Sequence, residues 1–161
     1  MNRRLYGFRV LVAALSALTL CGSAMAAAKP VPFKGRSSGV VTIVSVDATF
    51  AHTSVEAQGQ ATHLGRFRAT ALTDVELSTG NAHGAWTLTA ANGDKLFLEM
   101  TAVPSGDATH GIAAFTVVGG TGRFEGATGS YTQTITFDVP PGSSPTARFT
   151  DVLDGWISFG H

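Results

Sequence analysis

Beyond residue 26, apolar side chains recur at every second position, the period of a β-strand with one face turned inward. Across residues 66–78, Phe67, Ala69, Ala71, Val75 and Leu77 share one parity, while Arg66, Arg68, Asp74, Glu76 and Ser78 take the other. Trp86, Leu88 and Ala90 alternate with Thr87 and Thr89. Asn92-Gly93-Asp94 then supplies the positive-φ residues of a tight hairpin, and residues 95–103 return with Leu96, Leu98 and Met100 on one face. Further strands are predicted at residues 39–46, 54–61, 112–118, 130–139 and 147–159, each bounded by Gly, Pro, Asn or Asp. Residues 104–110 and 140–145 read as loops, because Pro cannot donate to a sheet ladder.

Eight short strands separated by turns predict an all-β domain, either a sandwich or a closed barrel. Closure removes the exposed edges that an open sheet would present. An eight-stranded barrel is wide enough for packed side chains or for one small ligand. Between Ile112 and Val118 both parities carry apolar residues, so the inward face of that strand is left open.

The first 26 residues follow a different rule. Arg3, Arg4 and Arg9 precede an apolar run of 11 residues, Val10 to Leu20, which ends on Gly22-Ser23-Ala24-Met25-Ala26. Basic, apolar and small segments in that order predict a secretory signal peptide spanning residues 1–26. The run is too short for a bilayer-crossing helix, which needs about 20 residues, so no stable membrane insertion is expected after cleavage. Cleavage is expected after Ala26, with Ala26-Ala27-Ala28 offering a second site. Cys21 raises lipidation as a rival, but Leu20 is too bulky for the small residue that lipoprotein processing requires. The expectation is one exported domain over residues 27–161, secreted or periplasmic.

Removing the signal also removes the only cysteine, leaving no disulfide and no thiol chemistry. Eight basic and eleven acidic side chains remain, a net charge of −3. That balance speaks against a nucleic-acid partner, since phosphate neutralisation needs a basic surface. About 135 residues suit a single domain with a respectable core.

Residues 117–129, Val-Val-Gly-Gly-Thr-Gly-Arg-Phe-Glu-Gly-Ala-Thr-Gly, carry the most specific pattern in the chain. Gly119, Gly120 and Gly122 permit positive φ where the chain leaves one strand. Phe124 is placed to plug a barrel end, and Gly126 and Gly129 lead into the next strand. The segment resembles the signature of the dirigent and allene oxide cyclase-like barrel superfamily, as it occurs in small secreted bacterial members. Asn92-Gly93-Asp94 and the segment 62–67 are similar to elements of the same group. The resemblance implies a single eight-stranded antiparallel, calycin-like β-barrel with an apolar cavity, often a dimer or trimer. Plant relatives cyclise an unstable fatty-acid epoxide or steer the coupling of phenolic radicals. Their polar catalytic residues lie outside the Gly-rich segment, so the resemblance assigns no catalytic residue here.

Candidate pocket residues follow from type and parity. Glu99 sits opposite the Leu96, Leu98 and Met100 face; turned inward it would be a buried general base, turned outward a solvated glutamate. Tyr131 shares a face with Ile135, Phe137 and Val139, and Gln133 interrupts that apolar row. A Tyr-Gln pair could orient a ligand, or Tyr131 could be a core residue with its hydroxyl at the rim. Trp86 and Phe67 are further pocket candidates, Trp156 a core or interface residue, and Asp74 a candidate buried acid. His63, ahead of Arg66, is placed at a barrel mouth. His52, His83, His110 and His161 show no zinc spacing; no metal and no cofactor are expected. Gly119-Gly120-Thr121-Gly122 lacks the Lys and the helix of a phosphate loop, and no Gly-x-Ser-x-Gly elbow occurs.

Three functions fit these features: a barrel binding a small apolar lipid or phenolic molecule, an isomerase or cyclase acting on such a guest, and a solid barrel serving as an interaction module. An open cavity with a buried polar group favours the second over the third.

Overall fold

A computed structural model describes residues 29–160. The expected signal peptide lies outside them. The chain forms eight strands: β1 (Val31–Val46), β2 (Phe50–Ala61), β3 (Gly65–Glu76), β4 (Ala82–Ala90), β5 (Lys95–Val103), β6 (His110–Gly120), β7 (Thr128–Phe137) and β8 (Thr146–Ser158). A single 3-10 turn, Gly122–Phe124, separates β6 from β7. Each strand pairs antiparallel with its sequence neighbours, and β1 pairs with β8, from Val31↔Ile157 to Thr42↔Thr146. Of the two architectures left open by the sequence, the barrel is the one formed. Closure satisfies both edges of every strand.

The parity expected for β3 is the parity observed: Phe67, Ala69 and Ala71 are buried and Arg66, Arg68 and Thr70 exposed. Leu96, Leu98 and Met100 of β5 also point inward. The ambiguous strand β6 turns Ala113, Phe115 and Val117 in, leaving Ile112 and Val118 exposed. A register shift between Phe97 and Leu98 separates this paired stretch from Gly119.

Most strands start earlier than predicted, by the most in β1, β2 and β4. β1 begins at Val31, because Pro32 stands where the ladder on one side has given way to the β2–β3 turn; there the Thr62 hydroxyl donates to the Pro32 carbonyl at 3.0 Å. β2 starts at Phe50, and β4 at Ala82. In β4, Gly84 belongs to the ladder, opposite Thr73 and Met100, and a Cβ there would lie 2.4 Å from the Leu72 carbonyl. The hairpin between β4 and β5 turns at Gly93, whose φ is 91°.

One end of the barrel is packed shut. Phe33, Leu64, Leu96, Phe124 and Ile157 are all at most 1% exposed there. Full burial of side chains of this size contributes about 1.5–3 kcal/mol each. An aromatic series continues inward from this plug: Phe33 to Tyr131 at 5.2 Å, Tyr131 stacked on Phe115 at 4.8 Å, and Phe115 edge-on to Trp86 at 5.3 Å. Beyond Trp86 and Phe115 the interior is hollow.

Candidate ligand-binding cavity

The hollow half of the barrel holds a cavity of about 440 Å³ that opens at the end opposite the plug. Its floor and walls include Val55, Trp86, Met100, Phe115, Gln133 and Phe149. Its mouth is framed by the two segments expected to be loops, with Pro104, Asp107, Pro141 and Pro145 among the lining residues. The volume falls within the range of small-molecule sites, and the predominantly apolar wall with a few polar groups is their usual composition.

Polar chemistry is concentrated at one place in the wall. Asp151 of β8 points inward and is 4% exposed, with no cation paired to it among the described residues. The backbone amide of Ser37 donates to it at 2.9 Å, the Ser37 hydroxyl donates at 2.7 Å, and Gln133 Nε2 donates to Oδ2. Burial pushes the Asp151 carboxyl above its ordinary value, opposed by these donors. Burial also raises the Tyr131 hydroxyl, with the negative charge of Asp151 adding to it. Among the described residues, three buried side-chain polar atoms have no hydrogen-bond partner: Thr73 Oγ1, Trp86 Nε1 and Gln133 Oε1. All three belong to residues that line the cavity. The residues of the wall thus carry unspent donors and an unspent acceptor.

Around the mouth the outer surface is acidic and carries histidines. His52 lies between Asp74, 2.6 Å from Nδ1, and Asp47, 3.1 Å from Nε2, and its pKa is raised chiefly by Asp74 and then by Asp47. The amides of Phe50 and Thr49, followed by His52, hold Asp47 down at about 2. Asp107 is lowered by the amide and hydroxyl of Thr109, with His110 adjacent at 2.9 Å.

The sequence-derived candidates divide sharply. Trp86 and Gln133 line the cavity. Tyr131 lies beneath its floor, stacked on Phe115, rather than at a rim. Phe67 is buried, but toward the plugged half and outside the lining. Glu99 is exposed on the outer face, paired with Ala85 and Thr116, because β5 commits its Leu-Leu-Met row to the interior. Asp74 also faces outward, where it holds His52. His63 occupies a barrel end, but the plugged one; it has a φ of 63° and its ring packs edge-on to Phe159 at 5.8 Å. Trp156 is 42% exposed on the outside of β8.

The Gly-rich segment is architectural. Gly119, Gly122 and Gly126 have positive φ, and Phe124 is fully buried in the plug. Gly120 differs from the expectation: its φ is not positive, and it is required for space, since a Cβ would lie 2.4 Å from the Lys95 carbonyl. Gly129 likewise gives room, 2.6 Å from the Trp156 carbonyl. Asp151 was missed because a lone carboxylate in the apolar row Ala147, Phe149, Leu153 and Ile157 does not by itself signal a buried acid, and Val152 and Trp156 put apolar residues on the opposite parity as well. The one available signal was Gln133, a polar residue in an inward row that needs a buried partner.

No protein-family model matches the chain, and no curated protein matches it in sequence. In structure it is similar to a solved dirigent protein, a pterocarpan synthase, with a TM-score of 0.54 over 84% of this chain and 88% of that one, at 11% identity. At that identity the likeness concerns the backbone. The closed eight-stranded antiparallel barrel, its strand order and this match together show a dirigent-like fold.

Proposed function

We propose that this protein is an exported barrel that holds one small, largely apolar molecule, phenolic or lipid in character, in the open half of its interior. The observation that carries the proposal is the asymmetry of the barrel: one end is filled by Phe124 and its neighbours, while the other keeps a cavity of about 440 Å³ with an apolar wall. A solid interaction barrel has no use for such a void, which forfeits packing contacts on every side. The edge-on Trp86 and Phe115 rings and the Gln133 amide favour a flat guest with at least one polar substituent.

Ala102 lines the cavity on the inward face of β5, and Ala102→Trp fills it. With N-phenyl-1-naphthylamine as probe, the wild-type protein is expected to show saturable, one-to-one fluorescence enhancement that the folded Ala102→Trp variant loses. Equal binding by both, or none by the wild type, overturns the proposal.

A second reading, that the barrel also isomerises or cyclises its guest, is favoured by Asp151. A carboxyl whose pKa is raised is suited to proton transfer, and its hydrogen-bond partner Gln133 lines the cavity, one side chain away from a guest. Asp151→Asn is then expected to bind the cell-derived guest normally but to leave its isomer composition unchanged on incubation. Conversion at the wild-type rate by the variant removes this reading.

A further inference from the structure

We propose a second binding surface on the outside of the barrel, for an acidic glycan chain of the polyuronate type. Arg36 on β1, Gln60 on β2 and Arg66 on β3 are directly opposite one another in successive strands. In the next outward row stand Ser38, Gln58 and Arg68, followed across β4 by Thr89 and then Lys95. Two inter-strand steps put the Arg36 and Arg66 backbones about 9.6 Å apart, and Arg66 and Arg68 stand two residues apart along one strand. All three arginines are exposed, and none of their guanidinium groups has a carboxylate partner among the described residues. The nearest outward acid on these strands is Glu56, opposite Thr70 and two residues from Gln58. A broad depression runs over this face, lined by Arg36, Gln58, Gln60, Arg66, Arg68 and Thr89, and reaching the buried Ser37–Asp151 pair between β1 and β8.

The charge distribution makes the surface unusual. Asp47, Asp74, Glu76, Asp107 and Asp138 gather at the open end, away from the basic band, and the acids beside the band are engaged elsewhere, Asp154 with Lys34 at 3.2 Å and Asp94 with Arg123 at 3.7 Å. Arg guanidinium forks match carboxylates, and the interleaved Gln, Ser and Thr side chains offer donors and acceptors for sugar hydroxyls. The chemistry disfavours other polyanions. No aromatic side chain stands among these outward positions to stack on bases; Phe97, two residues beyond Lys95, and Val152, opposite Arg36, are separate exposed apolar side chains rather than a continuous face for entry into a bilayer.

Co-sedimentation with insoluble calcium-free polygalacturonic acid, measured at low and high salt, tests the assignment. The wild-type protein is expected to bind, to release at high salt, and to ignore neutral cellulose. The triple variant R36Q/R66Q/R68Q is expected to bind about tenfold more weakly, the order set by three exposed ion pairs. R123Q, altered at the plugged end, is expected to match the wild type. Binding of N-phenyl-1-naphthylamine in the triple variant is expected to be unchanged, which reports an intact fold and separates this surface from the cavity. Absence of wild-type binding, equal binding by the triple variant, or preference for phosphatidylglycerol vesicles over the polyuronate each overturns the proposal.

Discussion

Gln133 Nε2 donates to Asp151 Oδ2 inside the barrel wall, while Oε1 of the same amide has no partner. The arrangement suits a carboxylate. It also contains its own alternative, because a carboxylic acid at Asp151 can donate to Gln133 Oε1 once the amide turns over.

The raised pKa of Asp151 sets a direction for stability. The native state holds this proton to higher pH than the unfolded chain, so this group's contribution to stability falls as pH rises from the unfolded value of about 3.9 through the folded one. Asp151→Asn removes the titration and keeps an acceptor for Ser37 and a donor for Gln133. Urea unfolding at a series of pH values is expected to show the variant gaining on the wild type as pH rises through that window. A difference independent of pH contradicts the assignment.

His52 works in the same sense, in a higher pH window. Its folded pKa is raised above 6.5, so the stability it contributes is fully present below that value and is lost as pH rises through the folded pKa. Asp74 and Asp47 contact its two ring nitrogens, and His83 stands 3.8 Å from the other Asp74 oxygen. In an NMR titration, Asp74→Asn is expected to lower the His52 midpoint. An unmoved midpoint would mean that the Asp74 contact is not maintained in solution.

The plug is expected to carry stability rather than binding. Phe124→Ala should cost about 3–5 kcal/mol in unfolding free energy, the range for a fully buried aromatic residue. The folded fraction should still bind N-phenyl-1-naphthylamine, since Phe124 does not line the cavity. Loss of probe binding at full folding would place Phe124 in the site.

Gly122→Ala is expected to destabilise by about 1–2 kcal/mol, the cost of a side chain in the left-handed region. Its φ is 58°, and a Cβ there would also displace the Asp94 carboxylate that faces Arg123. Gly120→Ala should be at least as damaging, because its obstacle is the Lys95 backbone rather than a side chain that can turn away.

Legibility followed physics residue by residue. The hairpin at Asn92-Gly93-Asp94, the inward row Phe67, Ala69 and Ala71, and the Phe124 plug were readable because each depends on local turn chemistry or an uncontested period of two. Strand starts were less so, since Pro32 and Gly84 are breakers by type and ladder members by context. For the site, Trp86 and Gln133 were legible from their rows, as was the outward side of Glu99 from the Leu96, Leu98 and Met100 row, but Asp151 was not. The side that carboxylate takes is decided by barrel closure, and β8 offered apolar residues on both parities.

Native mass spectrometry of the protein recovered gently from the producing cells tests the central claim most directly. The cavity reading predicts one small molecule retained per barrel, released on denaturation and missing from Ala102→Trp. A bare barrel that remains bare after soaking in lipid and phenolic extracts would contradict it.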